Sequence, residues 1–210
     1  GKGVAASGPL ATRMGLSGIP VAAETIALHT IFELLKSTRT RVHLCRISSA
    51  AGVALVRQAK SDGLAVTCDV SINSLHLSDI DMGYFDSRMR LSPPLRGSRD
   101  RTALRAGLLD GTLDAMVSDH VPVPEDGKAL PFAEAEVGAT GLELLLNMAL
   151  RLSADENIST AKALALVSLR PAGVLKKAGS EGIGHLSIGG QADVVVFDPA
   201  HIWTVNGNQL

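Results

Sequence analysis

From residue 20 onward the hydrophobic period of the chain switches repeatedly between the helical value and strand alternation, and this restricts the fold more than any other feature. Ala22 to Ser37 carries apolar residues at Ile26, Ile31, Leu34 and Leu35, with Glu24 near its start and Lys36 near its end. That is an amphipathic helix with charges matched to its dipole. Arg41 to Ile47 is a short β-prone run, and Ser49 is placed to cap a helix over about Ala50 to Asp62. Leu64 to Val70 reads as a second strand. An irregular stretch ends in the rigid Arg90 to Gly97, Arg99 to Leu109 is helical, and Leu113 to His120 is a strand with a polar end. Val121 to Thr140 reads as a long loop. Leu142 to Leu152 and Thr160 to Val167 read as helices, and Pro171 suits the first turn of another. The opening stretch, Gly1 to Gly15, is rich in Gly, Ala and Ser and reads as a loop.

Strands alternating with helices define βαβ units and a parallel sheet, so the fold class is α/β. Apolar residues make up 46% of the chain and aromatics only 3%, so the core must be built from Ala, Val, Leu and Ile, as helix-on-sheet cores often are. In a β/α barrel, function collects at the C-terminal ends of the strands. Those ends here are Cys45 to Ser49, Asp69 to Ser74 and Val117 to His120. The tail differs. Gly184 to Pro199 has a Gly–Gly turn between two short β runs, the second over Ala192 to Phe197, and Ile202 to Val205 resembles another. These are expected to form a small β-module, giving a division into residues 1–183 and 184–210.

Net charge is −1, which gives no pull toward nucleic acid or an acidic membrane. No apolar run reaches the roughly 18 residues needed to span a bilayer, and the start lacks a signal-peptide core. Cys45 and Cys68 sit in apolar, strand-like runs and are expected to be buried, reduced thiols of a cytoplasmic protein. An opening on a loop, with no start methionine, leads us to expect a piece of something longer. No HxH, HExxH or CxxC occurs, nor a nucleotide-binding glycine loop.

Asp119–His120 is the most suggestive polar pair. A carboxylate at a strand end can bind a metal or take a proton, or simply make loop hydrogen bonds, and the dipeptide leaves these open. His43 alternates with Val42 and Leu44 and is expected to be a satisfied core or interface histidine. His76 is ambiguous, and His185 and His201 are expected at the surface.

Several segments, taken in order, resemble dihydroorotases of the amidohydrolase superfamily. They are PVAAE (Pro20 to Glu24), RVHLCRISSA (Arg41 to Ala50), VTCDVSINSLHLSD (Val66 to Asp79), LSPPLR (Leu91 to Arg96), DGTLDAMVSDHVP (Asp110 to Pro122), PFAEAEVGATGLE (Pro131 to Glu143) and GHLSIGGQADVVVFDP (Gly184 to Pro199), followed by Trp203 to Val205. The ordered set carries the resemblance, and it covers nearly the whole chain. It implies the C-terminal part of a metal-dependent (β/α)8 TIM barrel, followed by part of a β-sandwich-like domain. Such enzymes interconvert carbamoyl aspartate and dihydroorotate. Metal ions there polarise the amide and hold a hydroxide, while an Asp at the end of the last barrel strand shuttles the proton. The family's HxH motif and its bridging acidic ligand, often a carbamylated Lys, precede the matched region.

The departures matter most. Where the family reads HICHVS and places a metal-binding His, this chain has Arg46; where it reads EVTPHH, Asn73 and Ser74 stand at the His-His pair. Ser92 replaces a substrate-facing Asn, and Val123 a substrate-holding His, while Asp119 keeps the family Asp with His120 beside it. An Arg has no lone pair to give a metal. By resemblance, then, Asp119 is the vestigial catalytic position, Ser92, His120 and Val123 are degenerate substrate positions, and Arg46, Asn73 and Ser74 are lost metal positions. Arg46 and Asp119 face the same mouth and are expected to pair. No cofactor is expected on this reading. Inactive dihydroorotase-like subunits are associated with aspartate transcarbamoylase, so a noncatalytic structural partner of that enzyme is implied, as a homo-oligomer. The alternatives are an active, zinc-dependent dihydroorotase or related cyclic amidohydrolase, with His43 and His76 as substitute ligands, and a pseudoenzyme that senses an anion through Arg46.

Overall fold

A computed structural model describes residues 3–175 and 183–206, which fall in two compact units, Gly1–Gly141 and Leu142–Leu210. In the first unit the opening is not the expected loop. Strand β1 (Ala5–Ala6) pairs in parallel with β2 (Gly18–Ile19), and between them runs helix α1 (Pro9–Arg13). Pro9 stands in the first turn, where its missing N–H is no loss. Val4, Ala5 and Ala11 then bury against Met82 and Phe132. Two-residue strands carry no readable period, which is why composition misled here.

Helix α2 (Ala22–Thr38) ends on Arg39 in the left-handed conformation, whose N–H caps Leu35 O. Its buried stripe is Leu28, Phe32 and Leu35, whereas Ile26 and Leu34 are 65% and 59% exposed. The apolar face is thus rotated from the expected one. Strand β3 (Val42–Leu44) leads to α3 (Ala50–Ser61), whose N-terminus is capped by Ser49 Oγ accepting the Gly52 N–H at 2.9 Å. Strand β4 (Val66–Ser71) runs straight into the short helix α4 (Ile72–His76), which Ser71 caps, inside a stretch that reads as irregular. Helix α5 (Ser98–Leu109) returns the chain to β5 (Ala115–Val117), and α6 (Glu125–Lys128) interrupts the expected loop.

Strands β3, β4 and β5 form one parallel sheet in that order, with Leu44 opposite Cys68 and Asp69 opposite Ala115. Val53, Val56, Cys68, Val70, Leu108 and Met116 are almost fully buried, an aliphatic core of the expected kind. Cys68 is buried, but Cys45 is exposed, contrary to expectation; both are free thiols. Alternation explains the difference: Leu44 faces the core, so His43 and Cys45 on either side of it face away.

The second unit contains α7 (Leu145–Asp155), α8 (Thr160–Ala165), capped by Ser159, and α9 (Leu169–Val174), with Pro171 in its first turn as expected. Leu152, Ala163 and Leu166 are its buried apolar residues of lowest exposure, with Ala149. Residues 183–206 contain the expected turn, with Gly189 at φ +80° and the Gly190 N–H on Ser187 O, but no strand. Val195 and Val196 are 77% and 93% exposed. A β-branched run becomes a strand only beside a hydrogen-bonding partner, and none is present among the described residues of this unit. No helix among the described residues is long and apolar enough to cross a membrane.

Candidate functional site

The C-terminal ends of β3 and β5 carry two side chains that meet. Arg46 follows β3 and Asp119 follows β5; both adopt left-handed backbone, at φ 60° and 49°. The Arg46 N–H is held by Asp69 Oδ1 at 2.7 Å, which fixes the turn at the end of β3. From there the guanidinium donates through one nitrogen to Asp119 Oδ1 at 3.1 Å and to the Ser92 carbonyl at 3.0 Å. Asp119 is 11% exposed and Arg46 41%, so the pair sits at the mouth rather than in the core. The expected pairing is therefore present.

A cavity of about 170 Å³ opens beside it, lined by Arg46, Leu91, Ser92, Asp119, Val121 and Gly138 among others. Gly138 has φ +146°, and a Cβ there would lie 2.4 Å from Val121 O, so only glycine lets this wall close. Ser92 takes part through its backbone carbonyl rather than its hydroxyl.

The other candidate residues lie apart from this cavity. Asn73 and Ser74 are in the first turn of α4, where the Asn73 N–H bonds Ser71 Oγ at 3.1 Å. His120 is exposed, and its Nδ1 accepts the Gly141 N–H at 3.2 Å. Val123 packs beside Gly127 of α6.

A second cluster lies on the face of β3 and β4 opposite to Leu44 and Cys68. His43 Nε2 is 3.0 Å from Asp69 Oδ2 and its Nδ1 is 2.8 Å from Thr67 Oγ1. The histidine is thus satisfied, as expected. The carboxylate satisfying it, Asp69, is a residue that motif comparison passed over; the signal was its place two residues after Thr67 on the same strand face. Cys45 completes the group: the ligand atoms of His43, Cys45 and Asp69 lie within 4.8 Å of one another. Burial pushes the Cys45 thiol up, Asp69 adds to this, and Arg46 opposes it. Burial pushes Cys68 up to about 12.

Behind the mouth, Glu24 of α2 receives the Ser48 N–H at 2.9 Å, the Ser49 N–H at 3.2 Å, the Ser49 hydroxyl at 2.6 Å and the Ser48 hydroxyl. Arg96 Nε donates to Ser48 Oγ at 2.9 Å. This anchors the β3–α3 connection from below and carries no free group for chemistry.

With this geometry in view, comparison with known proteins places the chain. The Amidohydrolase family matches residues 19–209. A dihydroorotase-like protein of Pseudomonas aeruginosa is 41% identical over 94% of this chain and 46% of its own length. A dihydroorotase of a Geobacter species is 37% identical over the whole chain and 48% of its length. The chain spans about half the length of these curated relatives. Among solved structures, L-hydantoinase from Arthrobacter aurescens superposes with a TM-score of 0.76 at 28% identity, over 87% of this chain and 41% of that one. Dihydroorotase from Saccharomyces cerevisiae gives a TM-score of 0.67 at 17% identity, over 77% of this chain and 45% of that one, a likeness of fold alone.

The chain belongs to the amidohydrolase family, on its dihydroorotase branch. Its parallel βα units are part of the family's TIM-type barrel.

The family commonly holds a metal such as zinc. At the β3 end Arg46 offers N–H donors and a fixed positive charge and no lone pair, its nitrogen 3.1 Å from Asp119 Oδ1.

Proposed function

We propose that this chain is part of a noncatalytic dihydroorotase-like protein of pyrimidine biosynthesis, acting in the cytoplasm as a structural partner of aspartate transcarbamoylase. The observation that supports the noncatalytic reading is the ion pair between Arg46 and Asp119. The family Asp needs a metal-bound hydroxide to serve as proton shuttle; here its charge is balanced by an arginine that cannot deprotonate. The side chains offered at the other family positions, Asn73, Ser74, Ser92 and Val123, supply no imidazole. The partner comes from the resemblance to inactive dihydroorotase-like subunits, and a homo-oligomer is the form proposed for the assembly.

The test takes the full-length protein, supplied with zinc, through a dihydroorotase assay and through size-exclusion chromatography with aspartate transcarbamoylase. No turnover and a co-eluting complex, formed equally by wild type and a folded Asp119→Ala variant, support the proposal. Absence of any complex removes the scaffold role. A complex lost in folded Asp119→Ala would mean that the mouth itself is the contact.

A second reading, an active zinc-dependent cyclic amidohydrolase, is favoured by one observation: Asp119 stands at the end of β5 beside an open cavity. Turnover together with near-stoichiometric zinc, bound about 2.0–2.3 Å from Asp119, would establish it in place of the first.

A further inference from the structure

We propose that His43, Cys45 and Asp69 form a binding site for a zinc-class transition metal ion, separate from the family's metal positions and independent of the noncatalytic reading. Strand geometry builds it. His43 and Cys45 are two residues apart and share one face of β3, while Leu44 between them is buried. Parallel pairing sets Leu44 opposite Cys68, so Asp69 comes level with Cys45 on the neighbouring strand. Imidazole nitrogen, thiol sulfur and carboxylate oxygen are thereby gathered within 4.8 Å of one another. The His43 Nε2 to Asp69 Oδ2 separation of 3.0 Å is close to one edge of a tetrahedron about an ion with ligand bonds of about 2.0–2.3 Å. Sulfur, nitrogen and oxygen together suit zinc or cobalt rather than magnesium or calcium.

The surrounding bonds are what set this trio apart from a chance gathering. Thr67 Oγ1 lies 2.8 Å from His43 Nδ1 and can accept its proton, which leaves the Nε2 lone pair facing Asp69 and Cys45. The Arg46 N–H holds Asp69 Oδ1 at 2.7 Å and leaves Oδ2 for the ion. Each ligand with two polar atoms therefore has one anchored and one pointing into the site. Cys45 is exposed, which gives an ion its way in. Without an ion the imidazole proton sits on Nε2 and is given to Asp69 Oδ2; on binding it moves to Nδ1, where Thr67 Oγ1 accepts it, the Cys45 thiol proton leaves to solvent, and one nitrogen, one sulfur and one oxygen bond to the ion form. The fourth tetrahedral position is left for water or a small ligand.

The experiment titrates cobalt(II) into the reduced, full-length protein and follows absorption. The expected result is one ion per chain, with the intense near-ultraviolet band of a thiolate–cobalt bond that zinc displaces. Cys45→Ser, an exposed change, should abolish the band. His43→Gln, which can still hydrogen-bond Asp69, should weaken binding by at least about 10-fold. Three outcomes overturn the proposal: no band in folded wild type, a band that survives Cys45→Ser, or unchanged affinity in His43→Gln. Cobalt bound without a thiolate band but sensitive to Asp119→Asn would also overturn it, and would count instead against the noncatalytic reading.

Discussion

Two polar groups hang from the same short connection between β3 and α3, and they are built on opposite terms. Ser48 and Ser49 turn inward to Glu24; they are 1% and 0% exposed, and Arg96, which joins them, is 7% exposed. Arg46, two residues earlier, turns outward to Asp119 with 41% of its side chain in water. Inside, a carboxylate collects four donors, two on each oxygen. Outside, a single guanidinium nitrogen serves both Asp119 and a carbonyl. The inner group ties α2 to the start of α3, so its loss damages the fold. The outer group can be exchanged with little consequence for folding, which is how a barrel scaffold can persist while its mouth changes chemistry.

The largest effect should come from emptying the inner group. Glu24→Ala leaves two backbone N–H groups and two hydroxyls short of their acceptor and strands Arg96 behind them. We expect a loss of about 3 kcal/mol, read as a lowered urea midpoint. Next comes Gly52→Ala. A Cβ at Gly52 would lie 2.1 Å from Glu24 Oε1, so the carboxylate must move away from the serines. The expected cost is about 1–3 kcal/mol, despite the better helix propensity of Ala. Smaller again is Asp119→Ala, at about 1 kcal/mol, because water screens the Arg46 end of the pair. If Asp119→Ala proved as costly as Glu24→Ala, the distinction between the two groups would fail.

Much of this was legible beforehand because it depends on local rules. The cap at Ser49, the helices over Ala50–Ser61 and Ser98–Leu109, and the parallel pairing of the strands between them follow from spacing and turn residues. The features that escaped depend on partners distant in the chain. The tail valines have strand propensity but no neighbouring strand among the described residues. The stripe on α2 runs through Leu28, Phe32 and Leu35, although Ile26 and Leu34 are just as apolar, because α2 packs against α3, a partner distant in the chain. Cys45 lies in a strand-like run next to the buried Leu44 yet is exposed, since side chains alternate about Leu44. At the site, the pairing of Arg46 with Asp119 was visible in one dimension. Asp69 was not, because its importance comes from strand register: one oxygen holds the Arg46 N–H and the other meets His43.

The finest test of the comparison is Arg46→His, which places one imidazole at the mouth. Histidine tolerates left-handed backbone better than most side chains, so the φ of 60° at this position is no barrier. The variant loses bonds to Asp119 and the Ser92 carbonyl, both at a partly exposed site, and should cost less than about 1 kcal/mol. Its effect on turnover should be smaller still, with no dihydroorotase activity gained in a zinc-supplemented assay of the full-length protein. A catalytic unit does not assemble one residue at a time: Asn73 and Ser74 remain in α4, Ser92 still offers only its carbonyl, and Val123 still packs beside α6. Strong turnover from this one change would show that Asp119 and its cavity were a single ligand short of function, and that the outer group constrains chemistry as tightly as the inner one constrains the fold.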